Sequence, residues 1–198
     1  MSRPATGKID QYKFVIREVT SEEELRRIFQ LRHKVFVNEL GYDSIGDRPN
    51  ELRDDADLIG RQFAVFEETS DEIVGAVRCN LLRDGIPDCY HFLINQLDFP
   101  IDGEESLNIT SRMFLISKFR HTKLLLAMSL HLFRAAAEEG IFRDLIFVEN
   151  HLVRLYKRFG YRLMSNLAIE HYQKAQVIPM LLDLRKVDYL EKISSPLI

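Results

Sequence analysis

Hydrophobic and polar positions change period once between Leu107 and Gly140, and the change predicts a strand followed by a helix. Leu107, Ile109, Met113 and Leu115, with Thr110 and Ser111 between them, read as a largely buried strand over Leu107 to Ser117. Leu124, Leu125, Met128, Leu132, Ala135 and Ala136 then recur at helical spacing, and Gly140 stands where a C-cap belongs. The turn between the two, Lys118 to Lys123, is basic. A strand that enters a helix through a basic turn gathers N–H groups and positive charge at one point, which suits a phosphate or another anion. Lys118, Arg120 and Lys123 are therefore candidate contacts for a phosphate-bearing ligand; the same charges also suit an ordinary solvated turn.

Residues 1–11 are polar and are expected to form a flexible N-terminus. Tyr12 to Val19 alternates and reads as the first strand. Thr20 or Ser21 then caps a helix with Glu22, Glu23 and Glu24 in its first turn, and Leu25, Ile28, Phe29, Arg32, Val35 and Phe36 mark one face through about Val37. Asn38 to Gly60 has no period and crowds Asp54, Asp55 and Asp57 at its end. Such a long loop is usually functional; its acids are either solvated or grouped to hold an amine or a guanidinium. Arg61 to Glu67 and Glu72 to Leu82 predict a hairpin. Further on come a short helix at Tyr90 to Leu97, a buried strand at Asp144 to Glu149, and a helix capped by Asn150 and closed by Gly160. Tyr161 to Leu163 and Ala175 to Leu184 read as terminal strands, with Pro179 demoting the last to an edge or a bulge. Residues 185–198 read as a charged tail with one helical turn or two. This order predicts an α/β (α+β) fold over residues 12–184: one domain, with a mixed central sheet and helices on both faces.

With 198 residues, 46% hydrophobic and 29% charged, the chain has material for a sizeable core. A net charge of −3 argues against nucleic acid or a membrane surface as partner, so any electrostatic recognition must come from a local patch. Cys79 and Cys89 supply neither a disulfide framework nor a metal cluster; structural thiols in a reducing cytoplasm are expected, with no bound metal. No apolar run is long enough to span a membrane, and the N-terminus shows no signal peptide. Arg32, Arg78 and Arg112 interrupt apolar runs. Unpaired buried charge is prohibitive, so an ion-pair network with Asp54 and Asp57 is expected on physical grounds alone.

Several segments resemble a known family. ENHLVRLYKRFGYR is similar to the last signature of the GNAT acyltransferase superfamily, an Asn and then a helix ending in Leu-Tyr-x-x-x-Gly-aromatic. Within it, LRHKVFVNELGYD, DDADLIGRQFAVF, EIVGAVRCNLL and ITSRMFLISKFR resemble, in order, elements of autoinducer (acyl-homoserine-lactone) synthases and long-chain N-acyl amino acid synthases. The resemblance implies transfer of a fatty acyl group from a phosphopantetheine thioester, of acyl carrier protein or coenzyme A, to the amine of an amino-acid-like acceptor. It implies that Arg32, Phe36, Asp54, Asp57, Arg78 and Arg112 belong to the polar site and its scaffold. It implies Tyr156 as the acid for the leaving thiolate, with the strand end from Phe114 to Ser117 supplying a backbone N–H to the oxyanion. The thioester is a co-substrate, and no tightly bound cofactor is expected.

Two departures alter what the resemblance implies. The family Glu three residues before the strand Arg is Ile109 here, so the usual general base is missing; Asn108, Glu104 and Glu105 are the neighbours that could substitute, through a water. The superfamily's Gly-rich pyrophosphate loop is replaced by RHTKLL, without glycine, which favours acyl carrier protein over coenzyme A. Two other readings stay open: a non-catalytic acyl-carrier or ligand-binding protein, and an acetyltransferase that moves acetyl from coenzyme A to a small amine.

Overall fold

Ser21 begins the first helix as its sequence predicts. In the computed structural model, its hydroxyl accepts from the Glu24 N–H at 3.3 Å and α1 (Glu22–His33) follows. The structure describes residues 5–9, 12–46, 48–97, 106–120, 122–165, 168–171 and 175–198. The strands are β1 (Ala5–Ile9), β2 (Tyr12–Val19), β3 (Arg61–Glu67), β4 (Glu72–Leu81), β5 (Leu107–Leu115), β6 (Arg143–Val148), β7 (Arg162–Leu163), β8 (Ile169–Glu170) and β9 (Gln176–Asp183). The remaining helices are α2 (Asp88–Ile94), α3 (Leu124–Glu138), α4 (Val153–Phe159) and α5 (Val187–Lys192). The sheet is mixed, in the order β1-β2-β3-β4-β5-β6-β9-β7, with β8 beside β9. Among the described residues no helix is long and apolar enough to cross a membrane.

Two compact units emerge, each made from two separated stretches: Met1–Cys79 with Arg112–Ala135, and Asn80–Ser111 with Ala136–Ile198. In the first, β3 is covered on both faces, which is why its sequence reads as nearly continuous apolar residues. Phe63 and Val65 pack with Phe14 of β2 and with Leu124, Met128 and Leu132 of α3. Ala64 and Phe66 pack on the other side with Val19 and with Ile28 and Phe29 of α1. The β3–β4 register slips between Val65 and Phe66, so Val74 and Val77 reach the same cluster despite their odd spacing.

In the second unit, β5 pairs parallel with β6 from Leu107↔Arg143 to Ile109↔Leu145, and β6 pairs antiparallel with β9. Gly160 ends α4 at φ 112° and lies against Leu190; a Cβ there would come within 2.3 Å of the Leu190 Cδ2.

Several expectations need correction. Residues 5–9, expected to be flexible, form β1 and pair with β2 from Ala5↔Ile16 to Ile9↔Tyr12. The C-terminal tail carries its expected one or two helical turns as α5, and it is packed down: Leu190 is fully buried, and the Ser195 hydroxyl donates to the Phe159 carbonyl at 2.7 Å. Asn150 does not cap α4: it opens a short 3-10 turn, Asn150–Leu152, and Leu152 stands at the N-cap of α4. Pro179 lies in a strand with neighbours on both sides, not at an edge. Its carbonyl accepts from the Met164 N–H at 3.0 Å, so its ring nitrogen faces the same side, just past the end of β7, where no ladder donor is needed.

Candidate functional site

The long loop after α1 begins with a π-helical turn, Lys34–Glu39, and ends in a 3-10 turn, Asp55–Asp57. π-turns recur at functional sites. This one carries Phe36, whose ring meets Tyr42 and Phe114 edge to face at 5.6 and 6.0 Å. The 3-10 turn fixes both acids. The Asp54 side chain accepts from the Ala56 N–H at 3.1 Å, and that of Asp57 accepts from the Asp54 N–H at 2.9 Å.

Three arginines converge on these carboxylates, within the first unit. Arg32 is fully buried; its Nη1 donates to Asp57 Oδ1 at 2.9 Å and Oδ2 at 3.0 Å, and its Nη2 to Gln62 Oε1 at 2.8 Å. Arg78, also fully buried, bonds Asp54 through Nη1 and lies 3.0 Å from Asp57 Oδ2. Arg112 bonds Asp54 Oδ2 at 3.0 Å and stands 5.8 Å from the centre of the Phe36 ring. Gln62 closes the network by donating to Asp57 Oδ1 at 2.8 Å. Gly60 leaves room for the Arg78 chain: a Cβ there would fall 2.9 Å from Arg78 Cγ and 2.6 Å from the Ala56 carbonyl oxygen. Burial alone would raise the pKa of Asp57, but Arg32 and Arg78 outweigh it and hold the carboxyl below its usual value.

Arg112 takes φ 53° in the middle of β5. A non-glycine residue in that region costs on the order of 1–3 kcal/mol and is found preferentially where function over-determines the backbone. Here the turn breaks the alternation of the strand and sends the guanidinium to Asp54.

A second polar cluster, absent from the sequence reading, lies in the second unit. Asp144 is in register with Asn108 across the parallel β5–β6 pair. Its Oδ1 accepts from Asn108 Nδ2 at 2.6 Å and from the Thr110 hydroxyl at 2.8 Å, while its Oδ2 accepts from the Tyr161 hydroxyl. Burial pushes the Asp144 carboxyl up to about 6, although the Tyr161, Thr110 and Asn108 bonds pull it down. Asn108 is thus a donor that anchors Asp144, and its amide cannot take a proton as the absent Glu would.

Tyr156 packs edge-on against Tyr161 at 5.4 Å. Burial, and then the charge of Asp144, push its phenol up to about 12. A phenol raised so far keeps its proton near neutral pH and can act only as a hydrogen-bond donor. On the other face of β5, Ile109 is fully buried. The Ser111 and Tyr90 hydroxyls are 2.7 Å apart, and Tyr90 donates to Asn80 Oδ1 at 3.2 Å.

The remaining sequence candidates divide. Lys118 and Lys123 are exposed. Arg120 is committed to structure: its Nε donates to the Leu115 carbonyl at 2.9 Å and its Nη2 bonds Glu39. The Phe114 side chain belongs to the core around α1. Of the backbone donors proposed for the oxyanion, the Ile116 N–H is already used, on the Val74 carbonyl at 2.9 Å. Glu104 and Glu105 lie outside the described residues. Gln62 was missed because an amide beside Arg61 at the start of an alternating strand reads as solvent-facing. The Asp144 cluster had a faint signal: Asn108 and Thr110 sit two apart in a buried strand, so they share a face and need a common partner.

Asp144 yields a pH prediction. Its folded pKa is raised above the ordinary 3.8, so its contribution to stability is complete below about pH 4 and is lost as pH rises through about 6. The shift corresponds to about 3 kcal/mol. Asp144→Asn removes the ionisation. Denaturant unfolding from pH 4 to 8 is expected to show wild type losing that amount relative to the variant, and a pH-independent difference would refute the assignment.

No protein-family model and no curated protein matches this sequence. Solved structures do. One is BjaI, a CoA-dependent acyl-homoserine lactone synthase with SAM and isopentyl-CoA: 18% identity over 91% of this chain and 90% of that one, TM-score 0.68. LasI, an AHL synthase, gives 13% identity, 86% and 90% coverage and TM-score 0.66. FeeM, an N-acyl amino acid synthase from uncultured soil microbes, gives 15%, 88%, 93% and 0.63. The chain therefore has the GNAT-like fold that its sequence suggested, shared with acyl-homoserine lactone and N-acyl amino acid synthases.

Proposed function

We propose that the protein is an N-acyltransferase that moves a fatty acyl group from a phosphopantetheine thioester to the amine of an amino-acid-like acceptor. One observation carries the reading. Arg32, Asp54, Asp57, Arg78 and Arg112, which the sequence resemblance picked out segment by segment, form one continuous buried network. The likeness of the fold to acyl-transferring synthases supports it.

In the reaction a neutral amine attacks the thioester carbonyl. The N–C bond forms, the C–S bond breaks, the amine loses a proton and the leaving thiolate gains one. The network fixes the backbone of the long loop and presents Arg112 beside the Phe36 ring, a place suited to an acceptor carboxylate. Tyr156 hydrogen-bonds to the departing sulfur without giving up its proton. The buried Ile109 cannot serve as the base, so the amine is deprotonated by another group or by solvent.

The test is turnover, followed by mass spectrometry, with fatty acyl carrier protein, fatty acyl coenzyme A and acetyl coenzyme A against a panel of amino acids. N-acyl amino acids from the long-chain donors support the proposal. Product from acetyl coenzyme A alone would make the protein a small-amine acetyltransferase. Binding of acyl thioesters without product would favour a non-catalytic carrier, the reading that the loss of the family Glu at Ile109 invites.

For the donor we favour acyl carrier protein, because the β5–α3 turn lacks glycine and exposes Lys118 and Lys123. Lys118→Glu with Lys123→Glu is expected to lower the association rate with an acidic carrier about tenfold at low salt, the difference fading as ionic strength rises. Arg120 is left in place because it holds the turn. Identical rates at low salt would remove this turn from the docking surface.

A further inference from the structure

The chain carries a net charge of −3, yet one cavity in the second unit is strongly basic. It measures about 430 Å³ and is lined by Arg143 of β6, Arg162 of β7, and Arg185 and Lys186 after β9, together with Asp183 and Tyr189. Four cations thus face one carboxylate, and that carboxylate is engaged. Asp183 Oδ1 and Oδ2 each accept from the Arg185 guanidinium at 2.8 Å, and Oδ1 also accepts from the Arg185 N–H at 3.0 Å. These bonds hold the Asp183 carboxyl below its usual range.

Arg162 rests its guanidinium 5.2 Å from the centre of the Tyr189 ring, which orients it without neutralising it. Among the described residues neither Arg162 nor Lys186 has a carboxylate within ion-pair distance. Like charges brought together on strands and a strand–helix junction repel one another, and an anion relieves the repulsion. A lone carboxylate would leave most of the excess charge in place, whereas a phosphate matches both the charge and the planar donor fork of an arginine. The cavity falls in the range of small-molecule sites, roughly 300–1,000 Å³, and is larger than one phosphate needs.

We infer that this cavity binds a phosphate-bearing small molecule through Arg162 and Lys186. The inference is independent of the acyl-transfer reading and uses none of its residues.

The experiment is isothermal titration calorimetry of the full chain at low salt with inorganic phosphate, pyrophosphate, AMP and acetate. Pyrophosphate is expected to bind saturably, one per chain, and acetate at least tenfold more weakly. Arg162→Glu with Lys186→Glu changes only exposed side chains, so the fold should persist, as circular dichroism would verify. That pair is expected to weaken pyrophosphate binding at least tenfold. Lys157→Glu, an exposed cation on α4 outside the cavity, is expected to leave it unchanged. Tighter binding of AMP than of inorganic phosphate assigns the site to phosphorylated organic ligands, and equal binding to the free anion; both support it. Non-saturable binding, an equal loss in Lys157→Glu, or acetate binding as well as pyrophosphate would overturn it.

Discussion

Arg78→Ala is expected to cost about 3–5 kcal/mol of folding stability and to abolish acyl transfer, because it removes the buried cation that two carboxylates of the first unit's network share. Arg78 is fully buried and bonds Asp54 while lying 3.0 Å from Asp57. Without it, two buried acids face the charges of Arg32 and Arg112 with the bridging cation gone, and Asp54 and Asp57 repel each other more strongly across the 3-10 turn. Arg78→Lys restores a charge but not the two-pronged geometry, so it should recover only part of the loss. The internal comparison is Lys13→Ala: Lys13 lies 4.0 Å from Glu68, and both side chains are exposed, at 66% and 49%. That pair is worth at most about 1 kcal/mol. Urea unfolding at neutral pH measures all three variants. The network also sets an acid limit: Asp57 has a depressed pKa, so its contribution is present above about pH 4 and is lost as pH falls through the lower folded value. If Arg78→Ala unfolds at the wild-type midpoint and keeps its activity, the network is neither scaffold nor site.

The members of this network were legible because each broke a local rule. Arg32 sits on the apolar face of a helix, and Arg78 and Arg112 sit in apolar strands, so burial could be read from neighbours and pairing from its necessity. What could not be read were contacts that depend on register or on distant turns. Arg120 looked like a free cation because its partner, Glu39, lies 81 residues away on a π-turn that no residue pattern announces. The φ 53° at Arg112 is invisible in a sequence that offers no glycine there. Asp144 looked like the polar start of a strand, since only the Asn108↔Asp144 register shows which donors surround it. Residues 5–9 looked frayed because β1 is polar, and its pairing comes from the backbone ladder with β2. The basic cavity escaped for the same reason: Arg143, Arg162 and Arg185 are isolated in sequence, and only the β6–β9–β7 order gathers them.

The second large effect concerns the missing base. Under the proposed acyl transfer, an amino-acid amine is mostly protonated near neutral pH and must lose its proton before it attacks. Ile109, where the resemblance to acyl-homoserine-lactone synthases leads one to expect Glu, is fully buried and cannot take a proton. The wild-type rate is therefore expected to climb with pH toward the pKa of the amine, with no lower break from a carboxylate. Ile109→Glu and Ile109→Gln share the loss of a packed isoleucine and the burial of a polar chain, so comparing them isolates the ionisable group. Burial would lift the new carboxyl above about 4.3, toward the range in which a base works best near pH 7. The Glu variant is expected to exceed the Gln variant by on the order of 10²-fold in rate at pH 7, and to show a rising limb centred on the new carboxyl. Superimposable profiles for the two variants would mean that position 109 does not face the acceptor amine. A wild-type break between pH 5 and 7 would point to a base already present. Asp144→Asn, Glu104→Gln and Glu105→Gln then assign it, since only the variant that removes the titrating group loses the break.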